Sequence, residues 1–519
     1  MANHRSTNSS RPASLAGLAA LSGLLLILVF PKFDLSLLSA VALAPLLLAA
    51  IREKSPGRRF LWGYLGGCVF FAGTCYWVYL VMRQHGGLGA AEAGGVFGVL
   101  FLALAVYWGL FTWIAGYLWV ARWGPLAIAP LWVSLEFARA HLLTGFPWLL
   151  FGYALTDHFA LARIARWTGV YGASFLLVAV NVALVWFFTR RSWAAGIHLG
   201  VIAVVLLLLA LTPTPEIYPE RQKAYLVQTN IPQEVGLEIW DEQTQAPLLD
   251  RLETLTTETA GRQEPPALVV WPEVPASFYF GEDSFTQEYA EGIARQTNSY
   301  FLMGIVALLR EADGTKPLNS AILLNPGGGV ISRYDKIHLV PFGEYVPLRS
   351  LLGFAGKLTA EIGDFVPGTR FVVSPLAGGQ AGAFICYEAI FPDLVRRFVK
   401  DGAGVLVTIS NDGWFGTTAA RYQHLLMARM RAIENARYLL RATNTGITAL
   451  IRPDGVISAQ LPPDVPGVLE ARWAFHERQT FYSRHGDWFA IAACVVSVLA
   501  FFAVARTHPA RHGRRRKRN

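Results

Sequence analysis

Eight apolar runs, at about 13–30, 36–51, 60–82, 91–117, 124–143, 163–188, 194–211 and 488–505, set the first limit on what this chain can fold into. Each approaches or exceeds the length a helix needs to cross a hydrocarbon core about 30 Å thick. With 53% hydrophobic and 16% charged residues among 519, the sequence is too apolar for one ordinary soluble domain, and a membrane takes up the excess. The predicted fold is therefore a multispan bundle of about eight helices, seven within 1–214 and the eighth at 486–506.

Between the last two runs, residues 215–485 change character. Short apolar strands, Pro/Gly turns and amphipathic helices read there as an inserted α/β domain, long enough to bury its own core. Loop charge sets the orientation, because Lys and Arg are retained on the cytoplasmic side. The loop "REKSPGRR" (52–59), Arg122, Arg190, Arg191 and the basic tail at 507–519 fall on one side, and the alternate loops carry fewer cations. Both termini are expected to be cytoplasmic and residues 215–485 to face outward. A basic tail directly after a span reads as a topology anchor, so no nucleic-acid partner is expected. The N-terminus resembles a signal peptide, but cleavage near Ala42 would cut the second run, so it reads as an uncleaved first helix.

Cys68, Cys75 and Cys494 lie in apolar runs, which leaves Cys386 alone in the outward domain. An unpaired thiol in an oxidising compartment either has a task or is deeply buried, and free cysteine is among the most buried residue types. The flanks favour a task. "AGAFI" before it reads as a strand. "FPDLVRRFVKDGA" after it places Leu394, Val395, Phe398 and Val399 on one helical face, with Pro392 in the first turn. At such a strand-to-helix turn, helix N-terminal amides can stabilise a thiolate and later an oxyanion.

Three other strand ends carry polar groups. Strand 267–271 runs out at Glu273, a position suited to a general base or, more plainly, to capping the next segment. A hairpin of strands 321–325 and 329–334 around "NPGGG" delivers Asp335 and Lys336. Lys336 there either stabilises an oxyanion or pairs with Asp335 on the surface. A third strand, "GVLVTIS", ends in the loop "NDGWFG". No histidine shows metal-ligand spacing, and no dinucleotide or phosphate loop is present. Glu136 and Arg139 share one predicted helical face within the bundle, where they are expected to pair.

In the order Glu, Lys, Cys, and within "WPE", "YDKIHLVPFGE" and "CYE", these motifs resemble the nitrilase superfamily of carbon–nitrogen hydrolases over about 220–475. That resemblance implies a nitrilase-like α-β-β-α sandwich, with Cys386 as nucleophile, Glu273 as general base and Lys336 as stabiliser of the tetrahedral intermediate. With the bundle, "TGFPWLLFGYALTD" (144–157) and "ISNDGWFG" (409–416) added, essentially the whole chain resembles the apolipoprotein N-acyltransferase family. Trp240, Glu344, Tyr387, Glu388 and Trp414 then match supporting or substrate-binding positions.

The resemblance implies transfer of an acyl chain from a phospholipid donor to the α-amine of a diacylated apolipoprotein acceptor, the last step of bacterial lipoprotein maturation. It implies a ping-pong reaction through a thioester, without cofactor or metal. The enzyme would be a monomer in the lipid bilayer of the inner membrane, its catalytic domain facing the periplasm. The apolar stretches 274–280 and 346–365, and Trp414 with Phe415, read as lids that keep water from the thioester or as packing on the bundle. Two rival readings keep the fold: a membrane-anchored amidase using water as second nucleophile, and a non-enzymatic lipid-binding scaffold. A small soluble substrate needs neither bundle nor lids, and a scaffold needs no triad.

Overall fold

The computed structural model describes residues 12–211, 219–232, 242–273, 284–311, 314–345 and 365–507. Trp240, the stretches 274–280 and 346–364, and the basic tail from 508 onward lie outside the described residues.

All eight apolar runs contain helix. The principal elements before the α/β part are α1 (Pro12–Val29), α2 (Ala44–Arg52), α3 (Pro56–Thr74), α4 (Trp77–Gln84), α5 (Ala90–Leu118), α6 (Ile128–His141), α7 (Val170–Arg190) and α8 (Trp193–Leu211). By length and composition α1, α5, α7, α8 and the C-terminal helix Trp488–Thr507 can each cross a membrane. The other runs depart from simple spans. The third breaks after α3, and α4 leaves at 48°. The second is a 3-10 turn, Ser36–Ala40, followed by the nine residues of α2. The fifth yields only the 14-residue α6 after a 3-10 turn. Pro45 and Pro125 occupy first-turn positions in these segments, where proline starts a helix and cannot prolong one. The sixth run becomes α7 only from Val170, because Gly169 turns the chain with φ 65°.

Close backbone contact holds α3 on α5. A Cβ at Gly63 would stand 2.0 Å from Thr112 Oγ1 and 2.2 Å from the Trp108 carbonyl, and one at Gly67 would stand 2.9 Å from Ala105 Cα. Small residues four apart permit this approach where no hydrophobic force drives helices together. Outward, large apolar side chains of α5, α8 and the C-terminal helix, such as Val99, Leu102, Leu207, Leu208, Leu499 and Phe502, stay exposed as a lipid-facing surface.

The α/β part consists of two six-stranded sheets. The first orders β12 (Gly467–Trp473), β1 (Gln222–Gln228), β2 (Leu268–Val270), β3 (Tyr300–Glu311), β4 (Gly314–Leu324) and β5 (Val330–Asp335). The second orders β11 (Ile457–Gln460), β10 (Ala449–Ile451), β9 (Leu439–Thr443), β8 (Val405–Ser410), β7 (Gly379–Ile385) and β6 (Val373–Leu376). Within each, three consecutive neighbours run parallel, β1-β2-β3 and β7-β8-β9. The period-2 alternation of strands divides the core. Ala224 and Leu226 of β1 face the second sheet, while Tyr225 and Val227 pack beneath α9 (Glu242–Ala260) and α10 (Ser284–Thr297). The second sheet is covered by α11 (Pro392–Lys400), whose Leu394, Val395, Phe398 and Val399 are all buried as the sequence predicts, and by α12 (Ala420–Asn435). The layering is α-β-β-α.

Helix α12 joins the two halves. Its Arg421, Gln423, His424, Arg429, Arg431, Glu434 and Asn435 are buried, although all are polar. Polar groups survive burial only with partners, and the bundle supplies several. Trp148 Nε1 donates to Gln423 Oε1 at 2.8 Å, the Val170 amide donates to Glu434 Oε1 at 2.9 Å, and Arg429 pairs with Asp157 at 2.7 Å.

Candidate active site

The C-terminal ends of three parallel strands and of the hairpin strand β5 converge on one buried polar cluster, at the end of the sheets where α/β folds present ligand-binding groups. Beyond β2 stands Glu273, beyond β5 Lys336, beyond β7 Cys386, and beyond β8 Asn411. Lys336 Nζ lies 2.8 Å from Glu344 Oε1 and 3.2 Å from Glu273 Oε1, and its side chain is 1% exposed. Lys336 is thus no surface residue paired with Asp335, which bonds Ser320 and Arg333 instead. The stacking of the second sheet over the end of β5 removes it from water. Burial opposes the ammonium, but Glu273 and Glu344 outweigh it and raise the Lys336 pKa well above the ordinary lysine value.

Both carboxylates are fixed from several sides. Asn319 Nδ2 donates to Glu273 Oε1 at 2.8 Å and to Glu344 Oε1 at 2.7 Å. The Asn411 amide donates to Glu273 Oε2 at 2.9 Å, and the Val340 amide to Glu344 Oε2 at 2.8 Å. Sequence reasoning did not single out Asn319. Its signal was a polar pair, Asn319 and Ser320, in the buried half of the strand "PLNSAILL".

Cys386 is buried and takes a left-handed backbone, φ 51°. The expected junction with a helix N-terminus is not formed. Cys386 opens a five-residue 3-10 turn, Cys386–Ile390, and α11 begins only at Pro392, so the amides of α11 belong to a separate element. Glu388 organises this turn by accepting from the amides of Ile385, Ile337 and His338 at 2.8, 2.8 and 3.1 Å, and from the Tyr334 hydroxyl at 2.7 Å. Burial first, and then the Glu273 charge, push the Cys386 thiol far above its usual range, and Lys336 offsets only part of this. The resting sulfur is therefore a thiol, whose proton must leave as the sulfur attacks.

Tyr387 and His338 form an aromatic wall with Phe391, whose ring centroid is 3.7 Å from that of His338 and 5.2 Å from that of Tyr387. Burial, reinforced by Lys336, pushes His338 down to about 4, so it adds no positive charge. Gly145 of the 144–157 segment brings the bundle against this wall: a Cβ there would sit 3.5 Å from the Phe391 ring. Glu136 and Arg139 brace that segment. They form no ion pair with each other. Glu136 Oε1 accepts from the Phe151 amide at 2.7 Å, and Arg139 Nη1 donates to the carbonyls of Phe146 and Trp148 at 3.1 and 2.9 Å. Trp414 meets the ring of His85 at 5.3 Å, and Phe415 packs on Trp77 and Trp148, so this pair rests on the bundle.

Comparison with known proteins covers both halves. The Apolipoprotein N-acyltransferase N-terminal domain family matches residues 22–183, and the Carbon-nitrogen hydrolase family matches residues 224–481. The chain is 40% identical to the Apolipoprotein N-acyltransferase of Geobacter metallireducens, over 93% of this chain and 95% of that one. It is 34% identical to the namesake proteins of Methylococcus capsulatus (95% and 97% covered) and Azotobacter vinelandii (96% of both chains).

Proposed function

The chain belongs to the apolipoprotein N-acyltransferase family, and on that footing we propose that it moves an acyl chain from a phospholipid to the N-terminal amine of a diacylated lipoprotein. The observation that carries this reading is the buried lysine held between two carboxylates at the strand ends beside Cys386. In the first half-reaction, Cys386 Sγ attacks the donor ester carbonyl while its proton passes to Glu273. Lys336 has three N–H groups, two of them directed at Glu344 and Glu273, and the third is left for the oxyanion. Collapse breaks the ester C–O bond, the lysophospholipid leaves with the proton from Glu273, and a thioester remains. In the second half-reaction the lipoprotein amine attacks the thioester, Glu273 takes its proton, and the sulfur departs to be reprotonated as the amide forms. Thioester to amide is downhill, so no nucleotide takes part.

Intact-mass spectrometry after incubation with phospholipid alone tests this. We expect one added acyl mass, lost on treatment with neutral hydroxylamine and on addition of a diacylated peptide amine. Continuous release of free fatty acid, with no lasting adduct, would make the protein a hydrolase and sink the proposal.

The protein is a bacterial membrane protein with lipid and lipoprotein substrates; its orientation, its action as a monomer and the limits of its outward domain at 215–485 are part of the proposal. Arg59, Arg122 and Arg190 gather at the bundle end where α3 starts and α5 and α7 finish. Arg190 bonds the carbonyl of Ala121, and Arg122 lies over Trp123 and Trp193. The sandwich docks at the other end, where Lys32 bonds the Thr417 carbonyl and Val170 meets Glu434. The cationic end belongs in the cytoplasm. A reporter fused after Asn519 is therefore expected to be active only as a cytoplasmic fusion, and an extracytoplasmic signal would reverse the assignment.

A further inference from the structure

Behind the candidate nucleophile lies a second buried polar cluster with no place in the chemistry above. His424 of α12 is fully buried, and its Nε2 lies 3.0 Å from the carbonyl oxygen of Cys386. A carbonyl only accepts, so Nε2 carries a proton and donates it there. On the ring's other side, Nδ1 sits 3.0 Å from Asp412 Oδ1 and 3.3 Å from Arg441 Nη2. Asp412 is itself fixed by Arg441 Nη2 at 2.5 Å and by the Ser410 hydroxyl at 2.7 Å. Gly446 leaves room for it, since a Cβ there would fall 2.6 Å from Asp412 Oδ2. Burial works against this carboxylate, but Arg441 and His424 hold its pKa well below the usual range. Trp148, stacked at 6.2 Å, and Phe415, edge-on at 5.8 Å, close the ring's faces.

We propose that His424 is a positioning residue: it holds the Cys386 carbonyl, and with it the left-handed backbone that aims the sulfur, while Asp412 and Arg441 fix the ring. The argument is geometric. A left-handed non-glycine residue persists only where its surroundings over-determine it, and such residues gather at functional sites. Glu388 pins the amide of Ile385 on one side of Cys386, and His424 pins the Cys386 carbonyl on the other. The residue is clamped at both ends, and its buried side chain lies within the electrostatic reach of Glu273 and Lys336. The cluster also ties the segments just beyond β7 and β8 to the middle of the neighbouring β9, since Cys386 follows β7, Asp412 follows β8 and Arg441 lies within β9. This inference rests on the reading of Cys386 as nucleophile.

Two amide substitutions separate positioning from mere support. His424→Gln places an amide N–H where Nε2 stood, keeping the donor to the Cys386 carbonyl while giving up the contact with Asp412. His424→Asn does the reverse, with its amide where Nδ1 stood. Single-turnover thioester formation on Cys386 from phosphatidylethanolamine micelles, its apparent KM and the melting temperature are measured for wild type and both variants. We expect His424→Asn to slow acylation about 100-fold with unchanged KM, a loss typical of a misplaced reacting group, and His424→Gln to stay within about tenfold of wild type. Stability should run the other way, with the glutamine variant melting lower because Asp412 loses a partner. Acylation that follows stability in both variants, or falls equally in both, overturns the positioning role. A wild-type protein that gains no acyl group on Cys386 overturns the proposed function itself, and this inference with it.

Discussion

Cys386→Ala is expected to give a folded protein that gains no acyl mass from phospholipid and transfers none to a lipoprotein amine. Removing one buried sulfur leaves a small cavity, worth on the order of 1 kcal/mol, and alanine asks no more of the left-handed backbone than cysteine does. The folded state should therefore survive, and any loss belongs to the chemistry. Cys386→Ser is the more searching variant. Its hydroxyl meets the same base but is a much weaker nucleophile at neutral pH, and an oxygen ester resists the incoming amine better than a thioester. Overall transfer should vanish, with at most a slow, hydroxylamine-resistant adduct. Wild-type transfer by either variant, or an adduct mapped to Cys68, Cys75 or Cys494, would leave Cys386 a core thiol.

Lys336→Arg keeps the charge and should still lose activity by about 100- to 1,000-fold, the usual effect of removing an oxyanion donor. The ammonium fits between Glu273 and Glu344 with its side chain 1% exposed. A planar guanidinium is larger, pairs readily in a two-pronged way with one carboxylate, and leaves no compact donor aimed at a tetrahedral centre. Lys336→Met is the companion variant. It leaves two buried carboxylates without their cation, a change that typically costs about 3–5 kcal/mol, so it should also lower the melting temperature where arginine need not. Both effects are read from the initial rate of thioester formation and a thermal melt. Near-normal rates in Lys336→Arg would remove Lys336 from the reaction.

Much of this was legible in the sequence because strand ends and turns are local features. Glu273, Lys336 and Cys386 each follow an apolar strand, and a chain that stacks two sheets must bring such ends together. What depends on distant parts of the chain was less legible. The Cys75–Tyr76 break between α3 and α4 left no mark in a run read only for apolar length, since hydropathy does not record direction. The burial of Lys336 depends on the second sheet, contributed by residues far along the chain, so the hairpin alone left it open between an oxyanion donor and a surface partner of Asp335. The polar face of α12 drew no reading at all, since its partners Trp148, Asp157 and Val170 lie more than 250 residues earlier. Glu136 and Arg139 were singled out as costly in lipid, and the hydrogen bonds they make there run to the backbone of 146–151, from Glu136 Oε1 and Arg139 Nη1, with no ion pair between the two.

The burial of α12 also has a bearing on biosynthesis. The ribosome delivers α1–α8 before the sandwich, so by the time Gln423, Arg429 and Glu434 emerge, Trp148, Asp157 and Val170, which receive them, have already been made. Domains generally fold in the order they are made. In a circular permutant that began at β1 and carried α1–α8 last, the same helix would be made before Trp148, Asp157 and Val170, with its buried polar groups unmatched until they followed. Gene order, in this protein, serves as part of the folding instruction.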